Sequence, residues 1–247
     1  MLQFLPVKTR PMLPPQDDIY PVLDKYLPSL KEGDVLIITS KIVSIHQGRC
    51  IKITDVREED DLIKKEADAY IERVECPGGY VVLTIKGHTL AASAGIDESN
   101  ANGHYVLWPR NINHTAKEIR NYLRAKFHLK KIAVIISDSR SMPLRYGAVG
   151  VAIGAFGLRP IRDYRKTFDI FGRELKMSRA NIVDALASAA ALLMGEGNEQ
   201  TPMVIARDLK SIEFTEADNF AELFMPYEED IYYPLLKKFY ARWKKKK

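Results

Sequence analysis

A chain of 247 residues, 46% hydrophobic and 28% charged, can bury a sizeable core as one large domain or two modest ones. Its net charge of +5 is concentrated at one end, because Arg242 and Lys244 to Lys247 fall in the terminal ARWKKKK and the remainder is nearly neutral. Elsewhere basic and acidic residues are interleaved, which excludes a nucleic-acid surface and leaves the tail as a frayed, solvated helix end.

From the N-terminus, Val7 to Pro15 is an extended, proline-rich lead-in with Lys8 and Arg10 exposed, and Ile19 to Tyr26 reads as a short helix. KEGD follows as a turn whose glycine can take positive φ. DVLIITSKIVSIHQGRCIKI is apolar enough for two strands, or for one strand continued around Ser40 and Gly48. Glu58 to Arg73 is charged and helix-prone, with Ile63, Ala67 and Ile71 stacked on one face. After the CPGGY turn, YVVLTIKGHTLAASAGI reads as strand, hairpin, strand. The stripe Ile119, Leu123, Phe127 predicts a helix over Thr115 to Phe127, leading into a strand at Ile132 to Ile136.

Gly147, Gly150, Gly154 and Gly157 punctuate GAVGVAIGAFG, which lacks the GxGxxG order of a dinucleotide loop. Close backbone packing in a sheet, or room for a ligand to approach, accounts for them better. YRKTFDIFGREL turns at Gly172, and an alanine-rich helix runs from an N-cap at Ser178 to Met194. Gly195 and Gly197 end that helix and expose Glu196 and Glu199 before the strand TPMVIARDL. A final helix from about Tyr227 to Trp243 docks through Ile231, Leu235, Leu236 and Phe239, with Pro234 kinking it or delaying its start.

These elements predict an α+β fold of mixed sheets and packed helices in two intimately connected parts, the smaller one formed by the middle of the chain. Expected boundaries give residues 1–141 as a first α/β portion, 142–208 as a glycine-rich and helical portion, and 209–247 as a C-terminal docking segment. Cys50 and Cys76 make neither a zinc knuckle nor a disulfide framework and read as small buried residues. With no secretory signal visible in MLQFLPVKTRPMLPP, they point to a reducing cytoplasm. No segment predicts a membrane span, since the most apolar helix, Ile182 to Met194, is too short and carries Asp184.

Two aspartates follow apolar runs: Asp97 in GIDESN after LAASAGI, and Asp138 in ISDS at the exit of IAVII, where a turn can hold a carboxylate in a cleft. With Ser99, Asn100 and Ser139 beside them, they offer the oxygen ligands that Mg²⁺ or Mn²⁺ takes alongside a nucleotide phosphate. As residue patterns alone, both aspartates read as turn caps. None of His46, His88, His104, His114 and His128 has a second histidine or cysteine at zinc-ligand spacing.

In order along the chain, TSKIVS with Gly48-Arg49, GIDESN, Ser137 to Ser139, PLRYGAVGVAIGAFG, DIFGREL and AAALLMGEGNEQTPMVIARD together resemble the coenzyme F420-0:L-glutamate ligase family, the F420 gamma-glutamyl ligases. The resemblance runs from the lead-in to about Asp208. It implies an enzyme that uses GTP, with ATP as the alternative, and a pair of Mn²⁺ or Mg²⁺ ions to join L-glutamate by an amide bond to the carboxylate of an anionic acceptor. It assigns Asp97 and Asp138 to a first metal, Ser139 and Glu196 to the second, and catalytic roles to Asp97, Asp138, Lys41 and Glu196. Nucleotide contacts fall on Thr9, Arg10, Pro11, Met12, Ser40, Lys41 and Asn100, and on the loop Met194, Gly195, Glu196, Gly197, Asn198, Glu199, Gln200 and Thr201. It also implies a homodimer, with the glycine-rich segment at or near the interface.

Two departures fall within these motifs. Ile45 stands where the family usually carries a lysine, leaving His46 or Arg49 to supply the cation. DSRSM, Asp138 to Met142, replaces an aspartate-threonine-phenylalanine-glycine-arginine run, so a polar loop with Arg140 would face an acceptor different from, or broader than, F420-0, a folate being the obvious alternative. Arg145 and Arg165 are further candidates for the acceptor's anionic group, and Arg173 lies within a family motif. The competing reading is a non-catalytic metal- or nucleotide-binding protein on the same scaffold.

Overall fold

The computed structural model describes residues 1–210 and 212–243, so the tail at Lys244 to Lys247 lies outside the described residues. The first third of the chain forms β1 (Gln3–Val7), α1 (Ile19–Tyr26), β2 (Asp34–Thr39), α2 (Ser40–His46), β3 (Cys50–Lys52), α3 (Glu59–Glu66) and β4 (Ala69–Ile71). The middle forms β5 (Leu83–Lys86), β6 (Thr89–Ala92), β7 (His104–Val106), α4 (Ile112–Phe127), β8 (Ile132–Ser141) and β9 (Ala148–Phe156). Then come β10 (Ile161–Asp163), β11 (Arg179–Asn181), α5 (Ile182–Met194), β12 (Met203–Arg207) and α6 (Tyr233–Trp243).

The principal sheet is ordered β1-β12-β2-β8-β9, with β2 and β8 parallel and the other pairs antiparallel. It draws strands from both sides of the expected boundary near Met142. Its central strands are buried on both faces, which is why VLII and IAVII read as unbroken apolar runs. Leu36, Ile38, Val134 and Ile136 face α1, α2 and α4, while Val35, Ile37, Ala133 and Ile135 face α5. Each such buried valine, leucine or isoleucine side chain contributes roughly 1.5–3 kcal/mol by removal from water, so the sheet is the rigid element on which the remainder is hung. The glycine run packs closely, as its small residues predict: a Cβ on Gly150 would lie 2.3 Å from the Ala187 carbonyl oxygen, and one on Gly154 would lie 2.4 Å from Ile112 Cγ2. The smaller part comes from the middle of the chain, where β3–β7 and β4–β5–β6 enclose Ile63, Val82, Ala94 and Leu107. No helix among the described residues is long and apolar enough to cross a membrane.

Several expectations need correction. The TSKIVS run after Thr39 is the helix α2 and not a continued strand, since pairing with β8 ends at Thr39 and Ser40–His46 coils as a helix. The charged helix stops at Glu66 and the chain returns as β4, because Ala69 and Ile71 pair with Ile85 and Leu83 and tertiary pairing overrides helix propensity. α5 is capped by Asn181, whose side-chain oxygen accepts from Asp184 N, and not by Ser178, because the intervening residues pair with β10. α6 starts at Tyr233, with Pro234 in its first turn, and docks through Phe239 and Leu236, whereas Ile231 and Leu235 are exposed. Cys50 and Cys76 are free and only half-buried.

Candidate active site

β2 and β8 share their last rung at Thr39 and Ser137, and beyond it they diverge. β2 turns into α2, which brings Lys41 over the end of the sheet; β8 continues with β9 as its partner, carrying Asp138 and Ser139. Asp138 therefore sits within an extended strand and not at a turn, just past the irregularity between Ile136 and Ser137. The divergence opens a crevice at the carboxyl ends of the parallel pair, where open sheets of this kind bind ligands. The lead-in Thr9–Met12, the segment Asp97–Asn100 and the loop after α5 complete a cleft of about 300 Å³.

Backbone contacts fasten these walls together. Thr9 N donates to the Gln200 carbonyl at 2.9 Å, Thr39 N to that of Pro202 at 3.0 Å, and Asn100 Nδ2 to that of Gly197 at 2.9 Å. Gly195 leaves α5 at φ +72°, and any Cβ there would lie 2.2 Å from Glu199 Cδ, so this turn requires glycine. Asp97 is anchored by its backbone to Val106, at 3.1 Å and 2.8 Å in the two directions.

Lys41 Nζ donates to Asp97 Oδ2 at 2.7 Å and to the Ser99 carbonyl at 2.6 Å, while Ser99 N donates to Asp97 Oδ1 at 2.7 Å. Partial removal from water pushes the Asp97 carboxyl up, but the Lys41 ammonium and the Ser99 donors more than offset this and hold it below the usual range. Asp138 behaves differently. Burial pushes its carboxyl up to about 6, against the Trp108 indole N–H and the Ser139 N–H that favour the anion, and the charge of Asp97 adds to the rise. Beside it, Ser139 Oγ donates to Glu196 Oε2 at 3.4 Å.

Among the described residues no cluster of three or more histidine, cysteine, aspartate or glutamate side chains forms a ready-made metal cage. An open site suits the donors that are present: Mg²⁺ and Mn²⁺ are commonly held by one or two carboxylates, with waters and substrate phosphates completing the shell. Asp97 and Asp138 act on one another electrostatically, and the one cation acting on both is Lys41. The hard oxygen set thus fits a divalent cation, and it gives Asp138 a reason to ionise.

Every residue predicted for catalysis, metal or nucleotide lines this cleft except Ser40, which is buried at the start of α2. The substitutes for the missing lysine are elsewhere. His46 Nδ1 accepts from Ile19 N at 3.3 Å and faces Asp18, and Arg49 bonds Glu66 at 2.8 Å, while Ile45, 2% exposed and packed on the core, itself lines the cleft. Arg140 lies on β8 and not in a loop; it is absent from the cleft wall, and its buried Nε has no hydrogen-bond partner. Arg165 pairs with Asp163, and Arg145 and Arg173 are exposed away from the cleft. Trp108, which donates to Asp138, escaped sequence reasoning altogether; a tryptophan between an apolar pair and a proline reads only as core.

The cleft combines two carboxylates of opposite tendency with a lysine at the mouth of a parallel strand pair. Comparison with known proteins fixes the family. The chain belongs to the F420-0:gamma-glutamyl ligase family, whose sequence model matches residues 8–208. It is 34% identical over 226 residues to the coenzyme F420:L-glutamate ligase of Methanopyrus kandleri, covering 85% of this chain and 88% of that protein. The enzyme of the same name from Methanosarcina barkeri is 31% identical across 91% of this chain and 92% of its own length. That of Halorubrum lacusprofundi is 34% identical across 82% and 86%.

Proposed function

We propose that this protein joins L-glutamate, through its amine, to a carboxylate of F420-0 or a related acceptor such as a folate, with GTP or ATP as the driving cosubstrate. The names of its relatives support the ligation, and the cleft supports the nucleotide. A carboxylate is a poor electrophile, so its oxygen first attacks the γ-phosphorus and displaces the nucleoside diphosphate. The amine of glutamate then attacks the resulting acyl phosphate, loses a proton and expels orthophosphate. Lys41 lines the cleft and would neutralise charge on the transferred group, and the loop Met194 to Thr201 with Thr9 to Met12, on the same wall, would hold the nucleotide. Asp97, Asp138, Ser139 and Glu196 would hold Mn²⁺ or Mg²⁺, which when bound supplies charge neutralisation at the phosphates.

The single observation that carries this reading is the convergence of Lys41, Asp97 and Asp138, from three separate segments, on one cleft in a chain of this family. A homodimer is part of the proposal: Leu144 and Tyr146 in the turn between β8 and β9, and Phe168, Ile170, Phe171 and Met177 between β10 and β11, are exposed large apolar side chains that a second copy would cover. Sedimentation as a monomer at micromolar concentration would remove that part.

The test incubates the protein with labelled glutamate, Mn²⁺ or Mg²⁺, and GTP or ATP, offering F420-0 and a pteroate side by side. Amide formation with release of one orthophosphate per glutamate is the expected result. Incorporation into F420-0 alone ends the broader-acceptor reading, and no turnover with either acceptor favours the non-catalytic binding protein.

A further inference from the structure

Trp108 is not part of the cleft wall, yet its indole N–H donates to Asp138 Oδ2. Its ring is 4% exposed and fixed on several sides. Arg49 Nε donates to the Trp108 carbonyl at 3.1 Å, and Lys86 Nζ stands 5.5 Å from the ring centroid. Both cations bond Glu66 Oε2 at 2.8 Å, so one half-buried carboxylate orients the two groups that hold the tryptophan. At the indole edge, Gly95 has no side chain because a Cβ would lie 2.0 Å from Nε1. A buried tryptophan needs only some acceptor for its N–H. This one is clamped so that the acceptor is the carboxylate on the cleft floor.

An aspartate on a strand can turn about its side-chain torsions, and a fixed donor on one oxygen restricts that turning while leaving the other oxygen's orientation defined. We propose that Trp108 is a positioning residue: its indole N–H holds Asp138 in the rotamer that presents a carboxylate oxygen to a divalent cation, and so sets how tightly the cleft binds that cation. The proposal rests on the metal-dependent reading given above. Gly95, Arg49, Lys86 and Glu66 support it by fixing the ring.

The experiment measures Mn²⁺ binding to the full chain by the electron-paramagnetic-resonance signal of the free ion, in wild type and in Trp108→Phe. Phenylalanine keeps an aromatic ring in the core and removes the donor. Mn²⁺ binding is expected to weaken about tenfold or more, while GTP affinity without divalent ions stays within twofold of wild type (about 0.4 kcal/mol). A purely structural role would move both together. A second measurement does not depend on that variant folding. The sequence has two tryptophans, so in Trp243→Phe the only tryptophan emission comes from Trp108, excited beyond the tyrosine band, and Mn²⁺ should quench it with the midpoint seen by resonance, whereas Mg²⁺ should not. Wild-type Mn²⁺ affinity in Trp108→Phe, or Mn²⁺ binding without quenching in Trp243→Phe, overturns the proposal and leaves the metal reading standing. Failure of the wild type to bind Mn²⁺ at all removes the metal reading and the proposal together.

Discussion

A second cavity, of about 990 Å³, is more than three times the cleft of about 300 Å³, and its walls carry Arg159, Arg162, Arg165, Arg179 and Lys210. Most of that charge is already matched. Arg159 bonds Glu213 at 2.9 Å, and Asp163 takes Arg165 at 2.5 Å with Arg179 at 3.9 Å. Asp163 is consequently held down to about 2 by its Arg165 partner, whereas Asp138, buried against a neutral indole, is pushed up to about 6. Two aspartates of one chain have thus been moved in opposite directions, one by an arginine and one by loss of water. The cavity with the unmatched acid is the smaller of the two, which argues that residual charge and not volume marks the site.

Substitutions at the two cavities should separate them. Asp138→Asn is expected to lower glutamate ligation by about a hundredfold to a thousandfold, the cost of one well-placed electrostatic group in a transition state, while Arg162→Ala in the larger cavity should leave the rate within twofold (about 0.4 kcal/mol). A comparable loss at Arg162 would erase the distinction. Lys41→Ala should weaken GTP binding by about tenfold to a hundredfold, as loss of a charge-assisted contact does. Lys64→Ala and Lys65→Ala on α3 should have little effect, and the difference should survive high salt because a cleft charge is screened less. Equal effects from all three lysines would put the nucleotide elsewhere.

Smaller effects test the scaffold under the cleft. Gly95→Ala forces a Cβ onto the indole of Trp108 and should cost about 2 kcal/mol by denaturant unfolding. The pH dependence should have a definite sign. Because Asp138 is raised to about 6 in the folded protein, its ionisation opposes folding above that pH, and the penalty fades as pH falls through 6 toward the unfolded value near 4. Without divalent ions, Asp138→Asn should therefore be more stable than wild type at pH 8, by about 1 kcal/mol after screening by the open cleft. The two should converge below about pH 4. A variant less stable than wild type at pH 8 would show that the carboxylate is not penalised.

The central strands were legible because burial on both faces writes itself as VLII and IAVII, and the small residues of GAVGVAIGAFG pointed to close packing in a sheet or room for a ligand, whereas what approaches β9 at Gly150 and Gly154 is α5 and α4. The helix α2 was not, since SKIVSI is short and buried at every position but Lys41, so periodicity could not distinguish it from a strand until β8 ceased to pair. Glu58 to Arg73 misled for the opposite reason: its local helix preference is strong, and only pairing with β5 ends it. Asp97, Asp138 and Lys41 could be singled out by motif, but their meeting depends on how β2 and β8 diverge, which no local pattern encodes. Trp108 lies in no recognised motif, and its bond to Asp138 exists only in three dimensions.

The most direct test of the cleft as the cation and nucleotide site is calorimetric titration of Mn²⁺, with and without GTP, into wild type and into the Asp97→Asn, Asp138→Asn double variant. The wild type should bind Mn²⁺ and bind it more tightly with GTP present, and the folded double variant should lose both the binding and the enhancement. Unchanged Mn²⁺ binding in the double variant would contradict the account, because these carboxylates, from β8 and the segment after β6, would then not be what holds the cation.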